Sequence, residues 1–201
     1  MNNRASAGKN RKKFDQYFTP PWAVAALLKY VDVPEGSLIS EPCAGAGHIV
    51  SALKEQGYGV IASEIDPAVE PIADDLGIEY GIDFLGDHDR YDSCDWIITN
   101  PPYHCKSGTA AKCFKKATEI TPNVAMLMRL GWLEACRDRA GILPQLSQIL
   151  ILPRVQFIGA GGSGNSSPSV WCVWNRDRVG GPTRVTWADR KLCRQLKRDH
   201  G

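Results

Sequence analysis

A chain of 201 residues gives room for one domain with a substantial core and too little for two ordinary ones. Its composition, 43% hydrophobic and 23% charged, is that of an ordinary globular protein and excludes a disordered or fibrous chain. The formal net charge of +2 hides a polarity: residues 1–13 carry five basic residues and no acid, residues 176–201 carry eight against three acids, and 14–175 is left at −8.

An acidic body with two basic ends suits a polyanion partner, and it equally suits solvated tails. No apolar run reaches the ~18 residues of a membrane span. The basic start MNNRASAGKNRKKF has no apolar stretch of the kind a secretory signal needs. Seven cysteines with no CxxC pair argue against a disulfide framework or a metal site, and for reduced thiols in a cytoplasm.

In chain order, residues 1–13 read as a flexible basic arm. Thr19-Pro20-Pro21 opens a helix over AVAALLKYV, with proline in its first turn. SLISEP (37–42) reads as a strand and HIVSALKEQG as a helix stopped by Gly57. GVIASEID is a second strand, PAVEPIADDLG a second such helix, and IEYGIDFL a short third strand. DWIITN (95–100) is a fourth strand, halted by Pro101-Pro102. GTAAKCFKKATEIT reads as a helix, NVAMLMRL as a fifth strand and WLEACRDRAGILP as a helix. QILILPRVQFI and SVWCVWNRD are two more strands, joined by the Gly/Ser-rich loop 159–169. The alternation predicts an α/β fold: a seven-stranded, mostly parallel sheet with helices on both faces and an antiparallel hairpin at one edge. Residues 14–178 form a single domain in this reading, and 179–201 a basic C-terminal tail. In such sheets a ligand sits beyond the carboxyl ends of the strands, where strand order reverses.

Four motifs fall at such strand ends. Glu41-Pro-Cys-Ala-Gly45-Ala-Gly47 closes the first strand and opens a helix. Its glycines allow close backbone approach to a ligand, or simply a tight turn. It is neither GxGxxG, since Val50 takes the third position, nor a P-loop, since no Lys-Ser/Thr follows. Glu64, after the second strand, can accept from both hydroxyls of a ribose; Asp66 is an alternative, or a helix cap. Asp83-Phe84 pairs an acceptor for an exocyclic amine with a ring that can stack. Asn100-Pro101-Pro102-Tyr103 is the most specific of the four. Two prolines remove two N–H donors and leave carbonyls as acceptors, so the Asn100 amide oxygen and the Pro101 carbonyl can converge on one planar NH2 group while Tyr103 stacks on its ring.

Taken in this order, E-P-x-A-G-x-G, an acid, D-F and N-P-P-Y resemble the S-adenosylmethionine-dependent amino-group methyltransferases. More narrowly they resemble the DNA adenine-N6 methyltransferases, small members of which occur in phages and prophages. The segment Phe14-Asp-Gln-Tyr-Phe18-Thr19-Pro20-Pro21 resembles that family's N-terminal cofactor element. The resemblance spans roughly 14–175 and implies a Rossmann-like class I methyltransferase fold. It implies S-adenosyl-L-methionine held by Phe18, Thr19, Pro20, Glu41, Cys43, Ala44, Gly45, Gly47, Glu64, Ile65, Asp83, Phe84 and Asn100. Glu41 would meet the methionine amino group, Glu64 the ribose, and Asp83 and Phe84 the adenine. Asn100, Pro101, Pro102 and Tyr103 would form the catalytic turn, with Tyr103 and Phe157 stacking on a flipped target adenine. Cys43 lies in the cofactor turn and is read as structural rather than as a nucleophile.

The implied partner is DNA, as a duplex with a flipped base, and RNA is the nearest alternative. A protein glutamine amide is a further acceptor for a turn of this kind, and an inactive nucleic-acid-binding protein is the non-enzymatic reading. The length leaves no room for a separate target-recognition domain, so base readout falls to 104–112, the Gly/Ser loop and the basic ends. Arg184, Arg190, Lys191, Arg194, Lys197 and Arg198 could equally form a solvated tail helix.

Overall fold

The computed structural model describes residues 17–86, 89–103, 108–134, 145–159, 166–178 and 180–200. Its strands are β1 (Leu38–Glu41), β2 (Gly59–Glu64), β3 (Ile78–Tyr80), β4 (Trp96–Thr99), β5 (Asn123–Arg129), β6 (Gln148–Ile151), β7 (Val155–Gln156), β8 (Ser166–Ser167), β9 (Ser169–Asn175) and β10 (Arg184–Trp187). Its helices are α1 (Pro21–Tyr30), α2 (His48–Glu55), α3 (Thr109–Ile120), α4 (Leu130–Glu134) and α5 (Arg190–Asp199).

Burial on both faces marks the central strands. Successive residues of β4, β5 and β9 point to opposite sides: Ile98, Leu127 and Trp171 join one core, Ile97, Met126 and Cys172 the other. The first core is closed by α1, α2 and α5, the second by α3 and Trp132 of α4. Trp171 is fully buried and donates from Nε1 to the Ala23 carbonyl at 2.9 Å, which ties α1 to β9. Eight strands form one sheet in the order β10-β6-β9-β5-β4-β1-β2-β3, while β7 and β8 pair separately. Only β9 runs against its neighbours, β5 and β6, among the described strands of the large sheet.

Several expectations need correction. The sheet has eight strands rather than seven, because β10 adds a parallel edge beside β6. The antiparallel pair β6–β9 is therefore not at an edge; β9 is a central strand with Ser169–Trp174 all buried. QILILPRVQFI is two strands, since Pro153 cannot donate to a ladder. PAVEPIADDLG is not a helix beyond a 3-10 turn at Asp74–Leu76: Pro71, in mid-segment, clashes with the carbonyl four residues back. Residues beyond 178 are not a tail but a strand and a docked helix of the same domain, with Cys193 and Leu196 in the core. The arm 1–13, positions 104–107 of the readout segment, 135–144 and 160–165 lie outside the described residues.

Candidate active site

β1 lies between β2 and β4, all three parallel, so their carboxyl ends reach one edge of the sheet and strand order reverses there. Glu41, Glu64 and Asn100 stand at those ends. The cleft they share holds about 1020 Å³ of space that no atom fills, open solvent at its mouth included. Of the residues singled out in the sequence, Phe18, Thr19, Cys43, Ala44, Gly45, Glu64, Ile65, Asp83, Phe84, Asn100 and Pro102 line it. Pro20, Glu41, Gly47, Pro101, Tyr103 and Phe157 do not.

Glu41 is completely buried behind the wall of the cleft. Its Oε1 accepts from Thr99 Oγ1 at 2.6 Å and from the Cys43 N–H at 2.9 Å. Its Oε2 has no partner among the described residues. Desolvation pushes the carboxyl from 4.5 up to about 8, against the pull of the Thr99 and Cys43 hydrogen bonds. An unpartnered buried oxygen of this kind can take a further donor.

Glu64 ties the turn to β2. Oε2 accepts from the Gly45 N–H at 2.7 Å and Oε1 from the Asp66 N–H at 2.9 Å. Each oxygen keeps one lone pair for a further donor, so a vicinal diol can still be held. Asp66 in turn accepts from the Ala68 N–H at 3.1 Å, a local turn rather than a ligand contact.

The two glycines of the first motif do different work. At Gly45 (φ +53°) a Cβ would lie 2.9 Å from Phe18 Cε1, so glycine lets the Phe18 ring approach the turn inside the cleft. At Gly47 (φ +93°) a Cβ would lie 2.4 Å from Leu76 Cδ1, facing the β3 side. Gly47 is thus placed for packing α2 onto β3, away from the cleft.

The Asn100–Tyr103 turn is anchored by the N-terminal segment. Asn100 Nδ2 donates to the Tyr17 carbonyl at 2.9 Å and to Thr19 Oγ1 at 3.0 Å. Both amide hydrogens are thereby spent, and Oδ1 is fixed as the acceptor. That segment is itself held by β-bridging between Phe18 and Ile158, with Ile158 N–H donating to the Phe18 carbonyl at 2.9 Å. Tyr103 is turned inward, only 6% exposed, with its hydroxyl bonded to Asn100 Oδ1 and to the Leu127 carbonyl. The Arg129 guanidinium, at the end of β5, lies 5.3 Å from the ring centres of both Tyr103 and Tyr17. The expected stacking face of Tyr103 is therefore covered. Phe157 is likewise buried, 6.2 Å from Tyr17 and packed in the α1-side core, because β7 turns it inward; it does not offer a face to the cleft.

On the far side of the cleft, Asp83 is exposed at the rim and its Oδ1 accepts from the Leu85 N–H at 2.9 Å. Phe84 is buried edge-on against Tyr91, with Lys116 Nζ 5.3 Å over its ring. Cys43 faces Cys113 across the wall; that contact and burial push its thiol well above the ordinary range, so it stays protonated at neutral pH. Tyr17, His48, Leu85, Thr109 and Cys113 also line the cleft. His48 stacks on Phe18 at 5.0 Å, its Nδ1 is buried without a partner among the described residues, and burial lowers its pKa. Only its place directly after Gly47, at the start of a helix, could have marked it.

No family model matches this chain, and no curated protein sequence matches it. Solved structures do. A proposed RNA methyltransferase from Pyrococcus horikoshii is 19% identical over 83% of this chain and 92% of its own, with a TM-score of 0.60. The type I restriction-modification methyltransferase subunit from Streptococcus thermophilus is 12% identical over 92% of this chain and 53% of its own, at 0.58. A modification subunit of a proposed type I restriction enzyme from Vibrio vulnificus YJ016 is 17% identical over 90% and 47%, at 0.57. This chain spans about half the length of the two restriction subunits. These likenesses establish that the chain has the Rossmann-like fold of these solved methyltransferases.

Proposed function

We propose that this protein transfers a methyl group from S-adenosyl-L-methionine to the N6 amine of adenine in DNA, with the target base flipped out of the helix. The observation that carries the reading is the fixed orientation of Asn100: both amide hydrogens are spent on Tyr17 and Thr19, leaving Oδ1 as an acceptor in a turn whose Asn100 and Pro102 line the cleft.

The residues present fit the cofactor. The remaining lone pairs of Glu64 suit its ribose hydroxyls and Asp83 with Phe84 its adenine, while the orphaned Oε2 of Glu41, behind the cleft wall, would meet its ammonium only after that wall opens. When bound, it supplies a methyl group activated by a sulfonium. An adenine amine is a poor nucleophile because its lone pair is delocalised into the ring. Asn100 Oδ1 and the Pro101 carbonyl would accept its two hydrogens, favour a pyramidal nitrogen and stabilise the positive charge that develops there. The rigid Pro101-Pro102 turn positions these acceptors in advance, and positioning is most of what the protein contributes. Tyr103 would swing from its inward pose to stack on the flipped base.

DNA is favoured by the N-P-P-Y turn and by the restriction-modification subunits among the fold neighbours, RNA by the RNA methyltransferase among them. Incubation with labelled S-adenosylmethionine and a panel of DNA, RNA and protein acceptors tests the reading. Label in DNA, recovered as N6-methyladenine, supports it. Label in RNA or in glutamine alone, or none at all, refutes it.

A further inference from the structure

We infer that the exposed face of α5 is the docking surface for the phosphate backbone of the substrate nucleic acid, an inference that rests on the nucleic-acid reading above. Arg190, Lys191, Arg194, Lys197 and Arg198 recur at helical spacing and fall within a stripe roughly 120° wide. All five are exposed, and none is ion-paired among the described residues. The inward face is Cys193 and Leu196, packed into the core beside α1. Asp199 lies on the opposite side of the helix from the stripe, and Asp189 is spent as the N-cap, accepting from the Leu192 N–H.

Two contacts orient the helix. At its start the Asp189 N–H donates to Tyr30 Oη, 2.7 Å away, at the end of α1. Near its end Lys197 Nζ stands 4.4 Å over the ring of Trp22, at the beginning of α1. The helix therefore runs antiparallel to α1, and its Lys197–Arg198 end arrives where Thr19 and Pro20 lead out of the site. Thr19 is the residue to which Asn100 is bonded.

The chemistry fits a polyphosphate strand. Ten residues of helix span about 15 Å, the axial run of about four phosphates at ~3.4 Å each along one strand. The stripe is charged throughout, with no apolar side chain among its five residues. The apolar side of the helix is already buried in the core, so none is left to enter a bilayer. Trp187, 69% exposed at the end of β10 just before the helix, adds a ring that could stack on an unpaired base.

The test compares the full-length protein with R190Q/K191Q/R194Q/R198Q and with K115Q, at an exposed lysine of α3 on the other face of the sheet. Affinity for a short adenine-containing duplex is measured against salt concentration, alongside S-adenosylmethionine affinity and thermal midpoint. The α5 variant is expected to lose about 0.9 in log–log salt slope for each phosphate contact removed, with cofactor affinity and midpoint unchanged. A duplex-binding wild type whose slope survives the α5 exchanges overturns the inference and leaves the methyltransferase reading standing. An equal loss per charge in the α3 variant overturns it too, as a net-charge effect. A wild type that binds anionic phospholipid vesicles but no nucleic acid overturns both.

Discussion

The Tyr103 hydroxyl bonds to Asn100 Oδ1, the oxygen that a substrate amine would need, and also reaches the Leu127 carbonyl at 2.9 Å. The acceptor is thus capped by the chain's own phenol while the same residue's ring is folded away beneath Arg129. One swing of Tyr103 would free the acceptor and present the ring together.

The two residues should therefore separate in mutation. Asn100→Ala is expected to cut methyl transfer by orders of magnitude while S-adenosylmethionine still binds, measured by single-turnover kinetics and calorimetric titration. Tyr103→Phe keeps the ring and uncaps Oδ1. It should lower stability by about 1 kcal/mol and leave turnover within a few-fold of wild type. A Tyr103→Phe enzyme as dead as Asn100→Ala would show that the hydroxyl itself is required and would overturn its reading as a mere cap on Oδ1.

Glu41 makes stability depend on pH. Its carboxyl is lifted from 4.5 to about 8, chiefly by burial, so between those values the folded chain holds a proton that the unfolded chain has released. Its contribution is fully present below 4.5 and is lost as pH rises toward 8. The thermal midpoint of the ligand-free protein should fall across that window, and Glu41→Gln should flatten the fall. Cofactor affinity should rise over the same range, because a cationic amine favours the ionised carboxylate, and Glu41→Gln should abolish that rise. A wild-type midpoint that climbs with pH would contradict the assignment.

Alanine at Gly45 and at Gly47 should have different consequences. Gly47→Ala drives a Cβ to 2.4 Å from Leu76 at φ +93°, and should cost about 2–4 kcal/mol of stability. Gly45→Ala pushes on Phe18 inside the cleft, 2.9 Å away, and should weaken S-adenosylmethionine binding more than it lowers the midpoint. Chemical denaturation and cofactor titration on both variants decide between these effects.

Deleting residues 1–13 removes five basic side chains and no acid. DNA binding should weaken and its salt dependence flatten, with cofactor affinity unaffected. An unchanged slope would assign that arm to plain solvation.

Residue order alone made the strand ends legible: Glu41, Glu64 and Asn100 each follow an apolar run, and parallel pairing brings such ends to one edge. Local chemistry also limited the alternatives, since two consecutive prolines after a buried strand leave only carbonyls to face a ligand. Other features depended on packing between distant segments. Burial of β9 on both faces set it between β5 and β6 and left the edge to β10, a pairing no local pattern encodes. Gly47 faces Leu76, Phe157 faces Tyr17, and Tyr103 lies under Arg129 because of contacts 26 or more residues apart in the chain. The sequence determined which groups are candidates for the chemistry. Only the tertiary structure decided which of them face the cleft, and it turned a basic tail into one charged face of a docked helix, because side-chain direction is fixed by what each element packs against.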